Sequence, residues 1–148
     1  MQRAPHPLLA RYVKTVWISQ PAAAGSHPAP AREHVLPTGL MHLVFRLSGP
    51  GVRIFDDAAG GKGQPLGPAL AGGPRAAFYA KDISAPSHSV GVQLLPGAAL
   101  ALLGLPADEL AGRHVSLEDL WGESHAALVR EHLLAAATPQ QTLRRLEA

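Results

Sequence analysis

The stretch Arg32-Glu33-His34-Val35-Leu36-Pro37-Thr38-Gly39-Leu40-Met41-His42-Leu43-Val44-Phe45-Arg46-Leu47 is the densest apolar and β-favouring segment in the first half of the chain. A Pro-Thr-Gly turn signal separates two strand-like runs, 33–36 and 40–47. Because side chains alternate across a strand, one face of the second run is predicted to carry Met41, Leu43, Phe45 and Leu47. The opposite face then carries His42, Val44 and Arg46. The stretch therefore predicts a core strand with one apolar side and one partly polar side.

Turn signals divide the sequence around this strand into further short strands. Apolar or β-branched runs occupy 13–18, 52–55, 70–71, 76–83 and 89–95, and loops are predicted at 21–31 and 56–68. The Ser-Gly-Pro-Gly turn at 48–51 predicts that 40–47 and 52–55 pair as a hairpin. About six short strands separated by turns are typical of a β-sandwich or a small barrel.

After residue 95 the pattern becomes helical. A short apolar helix is predicted at 98–103, ended by Gly104, and a helical turn follows at 106–110 with Pro106 as its first residue. Ser116 has the position of an N-cap, Ser124 is predicted to start a helix to about residue 137, and Thr138 opens a capping box for a last helix. The predicted class is therefore α+β: a cupin-like barrel or sandwich of short strands over about 10–95, then a helical part over about 96–148.

Composition limits the class of protein. The 148 residues suffice for one domain with its own core, and 47% of them are hydrophobic, which excludes a disordered chain. The formal net charge is only +2 and no basic stripe is present, so nucleic-acid binding by this chain is not indicated. Cysteine is absent, which excludes disulfides and thiolate metal sites. No signal peptide or membrane span is recognisable, and we expect a cytoplasmic location.

Three motifs bear on the chemistry of the chain. Gly60-Gly61-Lys62-Gly63 lacks the spacing and the following helix of a phosphate-binding loop, and a hairpin loop is the better interpretation. The segment 98–116 has some features of a helix-turn-helix, but Asp108 and Glu109 would face the like charge of DNA. The strand histidines His34, His42 and His88 are candidates for a cupin-type metal site, which needs three ligands that converge on the ion. His34 and His42 could approach each other across a hairpin, but the sequence identifies no third ligand for them. Ordinary pocket or surface histidines are the simpler interpretation.

No nucleophile elbow or catalytic triad pattern occurs, so the sequence predicts no catalytic residue, cofactor or metal. Several polar and aromatic side chains of the predicted strands are instead candidates to line a mostly apolar ligand pocket. For each of them the alternative is a solvated strand position or, for Trp17, a core position. These candidates are Trp17, His34, His42, Arg46, Arg75, Tyr79 and Gln93.

A series of segments in fixed order resembles the N-terminal domain of a subgroup of AraC-type bacterial transcription regulators. The series comprises Arg32-Glu33-His34-Val35-Leu36-Pro37-Thr38-Gly39, Leu43-Val44-Phe45-Arg46, Gly91-Val92-Gln93-Leu94-Leu95-Pro96-Gly97-Ala98-Ala99, Leu103-Gly104-Leu105-Pro106-Ala107-Asp108-Glu109-Leu110 and Val115-Ser116-Leu117-Glu118-Asp119-Leu120-Trp121-Gly122. The resemblance implies a domain that senses a small-molecule effector and often dimerises. It also implies that DNA is bound only by a C-terminal domain with helix-turn-helix units, which this chain does not contain.

The leading hypothesis is therefore one regulatory domain over 1–148, not an enzyme, that binds an effector, forms a homodimer, or does both. A small metal-dependent cupin-type enzyme using His34, His42 and His88 is the alternative from another class. A pure dimerisation module with a filled barrel is the third.

Overall fold

The computed structural model describes residues 1–19, 31–56 and 61–148. Within these ranges the chain forms ten strands and four α-helices. The strands are β1 Gln2–Arg3, β2 Val13–Ser19, β3 Arg32–Val35, β4 His42–Ser48, β5 Arg53–Phe55, β6 Gln64–Pro65, β7 Ala69–Gly72, β8 Tyr79–Asp82, β9 His88–Leu94 and β10 His114–Ser116; the helices are α1 Ala98–Leu103, α2 Leu117–Trp121, α3 Glu123–Leu134 and α4 Pro139–Leu146. Parts of the loops predicted at 21–31 and 56–68 lie outside the described residues.

The strands form two antiparallel sheets. The large sheet has the order β1-β2-β9-β4-β7-β10, and the small sheet has the order β3-β8-β5-β6. Their pairings are antiparallel throughout. With the helices concentrated after residue 97, this confirms the predicted α+β class, in which strands come first and helices last.

The two sheets stay separate, and no strand pairing within the described ranges closes them into a barrel. They face each other through a small apolar cluster to which both contribute, including Leu70 of the large sheet and Ile54 and Tyr79 of the small sheet. The large sheet therefore has two different neighbours: the small sheet on one face and the helices on the other.

Strand β4 has the two faces that its alternation predicts. Leu43, Phe45 and Leu47 are buried in the main core, where they meet Leu117, Leu133 and Leu143 of the helices. Val44 belongs to the opposite face and packs against the cluster between the sheets. The predicted apolar face, Met41 included, is thus confirmed as the core face.

The predicted hairpin of 40–47 with 52–55 is wrong, and the two runs on either side of Pro37-Thr38-Gly39 do not pair with each other. Strand β3 pairs with β8 in the small sheet, whereas β4 lies between β7 and β9 in the large one. Strand β5 pairs with β6 and β8 and not with β4. A turn signal fixes where the chain reverses but not which strand it pairs with, and strands adjacent in sequence are not always adjacent in a sheet. Because β4 is apolar enough to be central, it takes two partners from later in the chain.

Helix capping follows the sequence more closely. Gly104 ends α1 with φ +74°, the hydroxyl oxygen of Ser116 accepts from the Glu118 N–H, and Thr138 caps α4 by accepting from the Gln141 N–H. Helix α3 begins one residue before Ser124, with Gly122 as its N-cap, and ends at Leu134 instead of about 137. Pro106 is the N-cap of the 3₁₀ turn Ala107–Leu110 and not its first residue.

The segment 98–116 is not a helix-turn-helix. It contains α1, the 3₁₀ turn and the unpredicted strand β10, which pairs with β7 at the edge of the large sheet. Three residues are too few for a visible period of two, so only the tertiary pairing reveals the strand. None of the helices in the part of the chain that the structure describes is long and apolar enough to cross a membrane.

Candidate functional site: a cavity between two sheets

A cavity of about 300 Å³ lies between the large and the small sheet. Its large-sheet wall is formed by side chains of β2, β4, β7, β9 and β10 that point away from the helices, and its small-sheet wall is formed mainly by β3, β5 and β8. A volume of this size fits the lower end of small-molecule sites.

Six of the seven side chains predicted to line a pocket surround this cavity: Trp17, His42, Arg46, Arg75, Tyr79 and Gln93. The exception is His34, which is exposed and packs beside Phe78 with 5.1 Å between ring centroids. Its neighbour Val35 is the residue of β3 that lines the cavity, because alternate side chains of a strand point to opposite faces. The placement of His34 in the pocket is therefore wrong.

Arg46 is the most unusual member of the wall. It is only 8% exposed, yet its Nε has no hydrogen-bond partner among the described residues. Burial lowers the pKa of its guanidinium, and the carboxylate of Asp82 opposes that effect. The three ion pairs in the described part of the chain do not include Arg46. A cation in this position loses hydration without gaining a bonded counter-charge.

Arg75 is held by several groups at the other end of the cavity. One guanidinium nitrogen donates to Asp56 Oδ1 at 2.8 Å and another lies 3.1 Å from His114 Nδ1. The guanidinium carbon also lies 5.3 Å from the centroid of the Tyr79 ring. Since arginine can only donate, Nδ1 of His114 is the acceptor and the imidazole is neutral with its proton on Nε2. That Nε2 is buried and has no partner in the described part of the chain.

His42 and His114 form a pair of neutral rings. Their centroids are 5.4 Å apart, and both contact the Tyr79 ring, at 6.3 and 4.5 Å respectively. Burial, followed by Arg75 and Lys81, lowers the pKa of His42 from 6.5 to about 4. Burial, followed by His42 and Arg75, lowers the pKa of His114 to about 3, against the opposing effect of Asp56. At neutral pH the pair therefore contributes polar groups without charge.

Two glycines make room for these rings on the large sheet. A Cβ on Gly72 would collide with the His42 ring, and a Cβ on Gly91 would lie 2.5 Å from Cζ2 of Trp17 and from the carbonyl oxygen of Leu43. The rings of His42 and Trp17 therefore lie directly against backbone. Any larger residue at either position would push a ring into the cavity.

Two charged residues of β8 complete the wall, and each has a bonding partner elsewhere. Lys81 Nζ pairs with Glu33 across the β3–β8 ladder at 2.6 Å. Asp82 accepts a hydrogen bond from the Ser84 N–H at 2.8 Å, and hydrogen bonding to Ser84 is the main reason why its pKa is lowered. Arg46 is thus the wall cation with no bonded carboxylate among the described residues.

The structure does not bring His34, His42 and His88 together. His34 is exposed on the small sheet, His42 lines the cavity, and His88 starts β9 opposite Ser48. Residues 1–19, 31–56 and 61–148 contain no group of three or more His, Cys, Asp or Glu side chains that could hold a metal ion. The three-histidine cluster that the metal-dependent enzyme would need is therefore not formed.

Sequence reasoning missed His114 and Asp82. His114 enters the site only because β10 pairs with β7, which places it directly opposite Gly72. The only local indication of this strand is the β-branched Val115 before the capping Ser116, and one such residue does not identify a strand. Asp82 lies at the end of a predicted strand, where a carboxylate is usually solvated.

A family model described as a domain of unknown function, DUF6597, matches residues 1–116. The match covers every strand of both sheets. Neither a curated protein nor a solved structure matches the chain.

Proposed function

We propose that this chain, which belongs to the DUF6597 family, is the effector-sensing domain of an AraC-type transcription regulator. In this proposal a small molecule enters the cavity between the sheets, and the helices transmit its presence to a DNA-binding domain elsewhere in the regulator. The facing sheets act as an open, cupin-like frame. A cytoplasmic location and a homodimer are part of the same proposal.

The observation that carries the proposal is the cavity wall itself. Polar side chains are directed between two sheets, where an ordinary sandwich would place apolar ones, and Arg46 is buried there without a bonded partner. Buried polar groups are costly unless something satisfies them, so such a wall is typical of a binding site and not of a core built for stability. The enzyme alternative requires a metal site, and the described residues contain no group of three or more His, Cys, Asp or Glu side chains that could hold a metal ion.

Strand β4 supports the second half of the proposal, the transmission. Its polar face lines the cavity, and its apolar face packs against the helices. A ligand that shifts β4 would therefore change the packing of α3 directly, because this one strand contacts both the cavity and the helices. Such a response requires that the ligand bind two arrangements of β4 and α3 with different affinities.

A thermal-shift screen of a broad metabolite panel tests ligand binding. A true ligand stabilises the native state by mass action, by about 2.7 kcal/mol at 100 times its Kd. Hits should disappear in Val44→Phe, which fills the cavity from β4, and should persist in Ala127→Phe, which adds the same ring to an exposed position of α3.

Light scattering with and without a hit tests the link to assembly. We expect the ligand to change the dimer population of the chain, or the DNA affinity of a regulator that carries it. If no compound of any charge class raises the melting temperature and the chain is strictly monomeric, the proposed function fails.

A further inference from the structure

We propose that the ligand of the cavity is a small organic monocarboxylate whose carboxylate pairs with Arg46. The inference rests on the sensing function proposed above and adds the chemical class of the effector. It starts from Arg46, a buried cation of the cavity wall whose Nε has no hydrogen-bond partner among the described residues.

The guanidinium of Arg46 lacks bonded acceptors among the described residues. The residue is 8% exposed and its Nε has no acceptor in the described part of the chain. Its main chain is fixed, because its N–H donates to the Pro68 carbonyl at 2.6 Å and its carbonyl accepts from Arg130 at 2.8 Å. The guanidinium is therefore held in a cavity wall with donors that no protein group within the described residues satisfies. An anion in the cavity would supply the acceptors that are lacking.

The other charged side chains of the wall have bonding partners. Arg75 is paired with Asp56 and Lys81 is paired with Glu33. Asp82 lies near Arg46 but is engaged with Ser84 and forms no ion pair with Arg46 within 4 Å among the described residues. Arg46 is therefore the wall cation that still lacks a bonded acceptor in the described part of the chain, and a single carboxylate supplies one. A phosphate dianion would add charge next to Asp82 without a second free cation, so a single carboxylate is the better fit.

The shape of that anion is set by the guanidinium. A guanidinium presents parallel N–H groups that match the two oxygens of a carboxylate. Apolar and aromatic side chains also contribute to the wall, and Trp17, Tyr79, Val44 and Leu70 are among those that line the space. A cavity of about 300 Å³ holds on the order of ten water-sized groups. The ligand is therefore a compact acid with an apolar or aromatic skeleton.

The neutral histidines fit this assignment. The rings of His42 and His114 carry no charge at neutral pH, so they neither attract a second anion nor repel a cation. His114 offers a buried Nε2–H that has no partner among the described residues, suited to a hydroxyl or carbonyl oxygen on the skeleton of the acid.

The test compares acids with neutral compounds of the same shape. Wild-type protein is titrated calorimetrically with phenylacetate and phenylacetamide, with hexanoate and hexanamide, and with inorganic phosphate. We expect at least one acid to bind about 30-fold or more tightly than its amide, the difference for a desolvated charge pair. Phosphate should not compete with it.

Variants of Arg46 test whether this residue is the one that binds the carboxylate of the ligand. Arg46→Met should lose about 30-fold or more in affinity for the acid and little for the amide, whereas Arg46→Lys should retain part of the preference. Arg144→Met removes the same charge from an exposed position of α4 and should change neither. Because the free protein gains no bond from the Arg46 guanidinium, Arg46→Met should melt at or above the wild-type temperature.

The outcomes separate the two proposals. If amides bind as well as acids, or if phosphate binds more tightly, the carboxylate assignment is overturned and the sensing function stands. If neither these compounds nor a broad metabolite panel binds, the carboxylate assignment is overturned, and the sensing function fails with it if the chain is also strictly monomeric. A clearly lower melting temperature for Arg46→Met would show that its charge already stabilises the free protein, and would overturn the inference without reference to any ligand.

Discussion

Arg130 of α3 donates a hydrogen bond from Nε to the main-chain carbonyl oxygen of Arg46, over 2.8 Å. The helix layer is thus bonded to the residue whose side chain lies in the cavity wall on the opposite face of the same strand. The bond is made where β4 and β9 shift register, between Arg46 and Ser48. An irregularity of this kind interrupts the regular ladder and bends the strand locally.

Removal of the Arg130 side chain should weaken this connection. Arg130→Met deletes the donor and keeps the aliphatic stem, so we expect a loss of about 1 kcal/mol in the free energy of unfolding, measured by urea denaturation. We also expect ligand binding at the cavity to lose its effect on hydrogen exchange in α3. Arg144→Met, on α4, serves as the control and should preserve both values. Equal exchange responses in Arg130→Met and wild type would exclude this bond as the connection.

An ion pair between Arg3 and Glu147 joins the two ends of the described chain. Glu147 has a side chain only 7% exposed and accepts from Arg3 at 2.5 and 3.1 Å and from the His6 N–H at 2.7 Å. Glu147→Gln should lower the free energy of unfolding by about 1–2 kcal/mol, because the charged acceptor is lost from a partly buried site.

A double-mutant cycle with Arg3→Met assigns that loss. If the pair is responsible, the two substitutions together should cost less than the sum of the single effects. Glu131→Gln, at an exposed position of α3, is the control and should be nearly neutral. Strict additivity of the two substitutions would contradict the interpretation.

The buried histidines predict a loss of stability in acid. The folded-state pKa values of His42 and His114, about 4 and about 3, are below the 6.5 of an unperturbed histidine. Between pH 6.5 and pH 4 the unfolded chain therefore binds more protons at these positions than the native state. Stability is complete above pH 6.5 and falls as the pH decreases towards 4, by about 3 kcal/mol at most per histidine.

Urea midpoints measured from pH 7.5 to pH 4 check this dependence. His114→Asn removes the titration and keeps an acceptor for Arg75, so its midpoint should fall less steeply with acid. His125→Asn, at an exposed position, should retain the wild-type slope. An unchanged slope in His114→Asn would show that the acid sensitivity comes from other groups.

Gly72 should not tolerate a side chain. Its Cβ would overlap the His42 ring and approach Cδ2 of His114 to 3.0 Å, so Gly72→Ala must displace a ring into the cavity. We expect a loss of about 1–3 kcal/mol, typical of overpacking, together with weaker binding of any ligand that occupies the cavity. Gly61→Ala, with no atom within 4 Å of the added Cβ, is the matched control. Wild-type stability and binding in Gly72→Ala would place the His42 ring elsewhere.

The sequence predicted features that depend on neighbouring residues. The two faces of β4 follow from a period of two, and the caps at Ser116 and Thr138 follow from side-chain oxygens within bonding reach of the next helical turn. The same local rules predicted six of the cavity-lining residues, because polar and aromatic side chains on strands beside apolar ones are good pocket candidates. They failed for His34, whose direction depends on which face of β3 meets the large sheet.

The sequence by itself thus determined the class of the fold, the core face of its central strand and the starts of its last helices, since these are set by contacts within a few residues. Only the tertiary structure decided the strand partners, the entry of His114 opposite Gly72, and the isolation of Arg46 from the carboxylates that pair with Arg75 and Lys81. These features arise from long-range contacts, whose formation depends on the burial of both faces of the large sheet at once. The opening stretch encodes that Arg46 shares a face with His42, but only the placement of the small sheet above them makes that face the wall of a cavity.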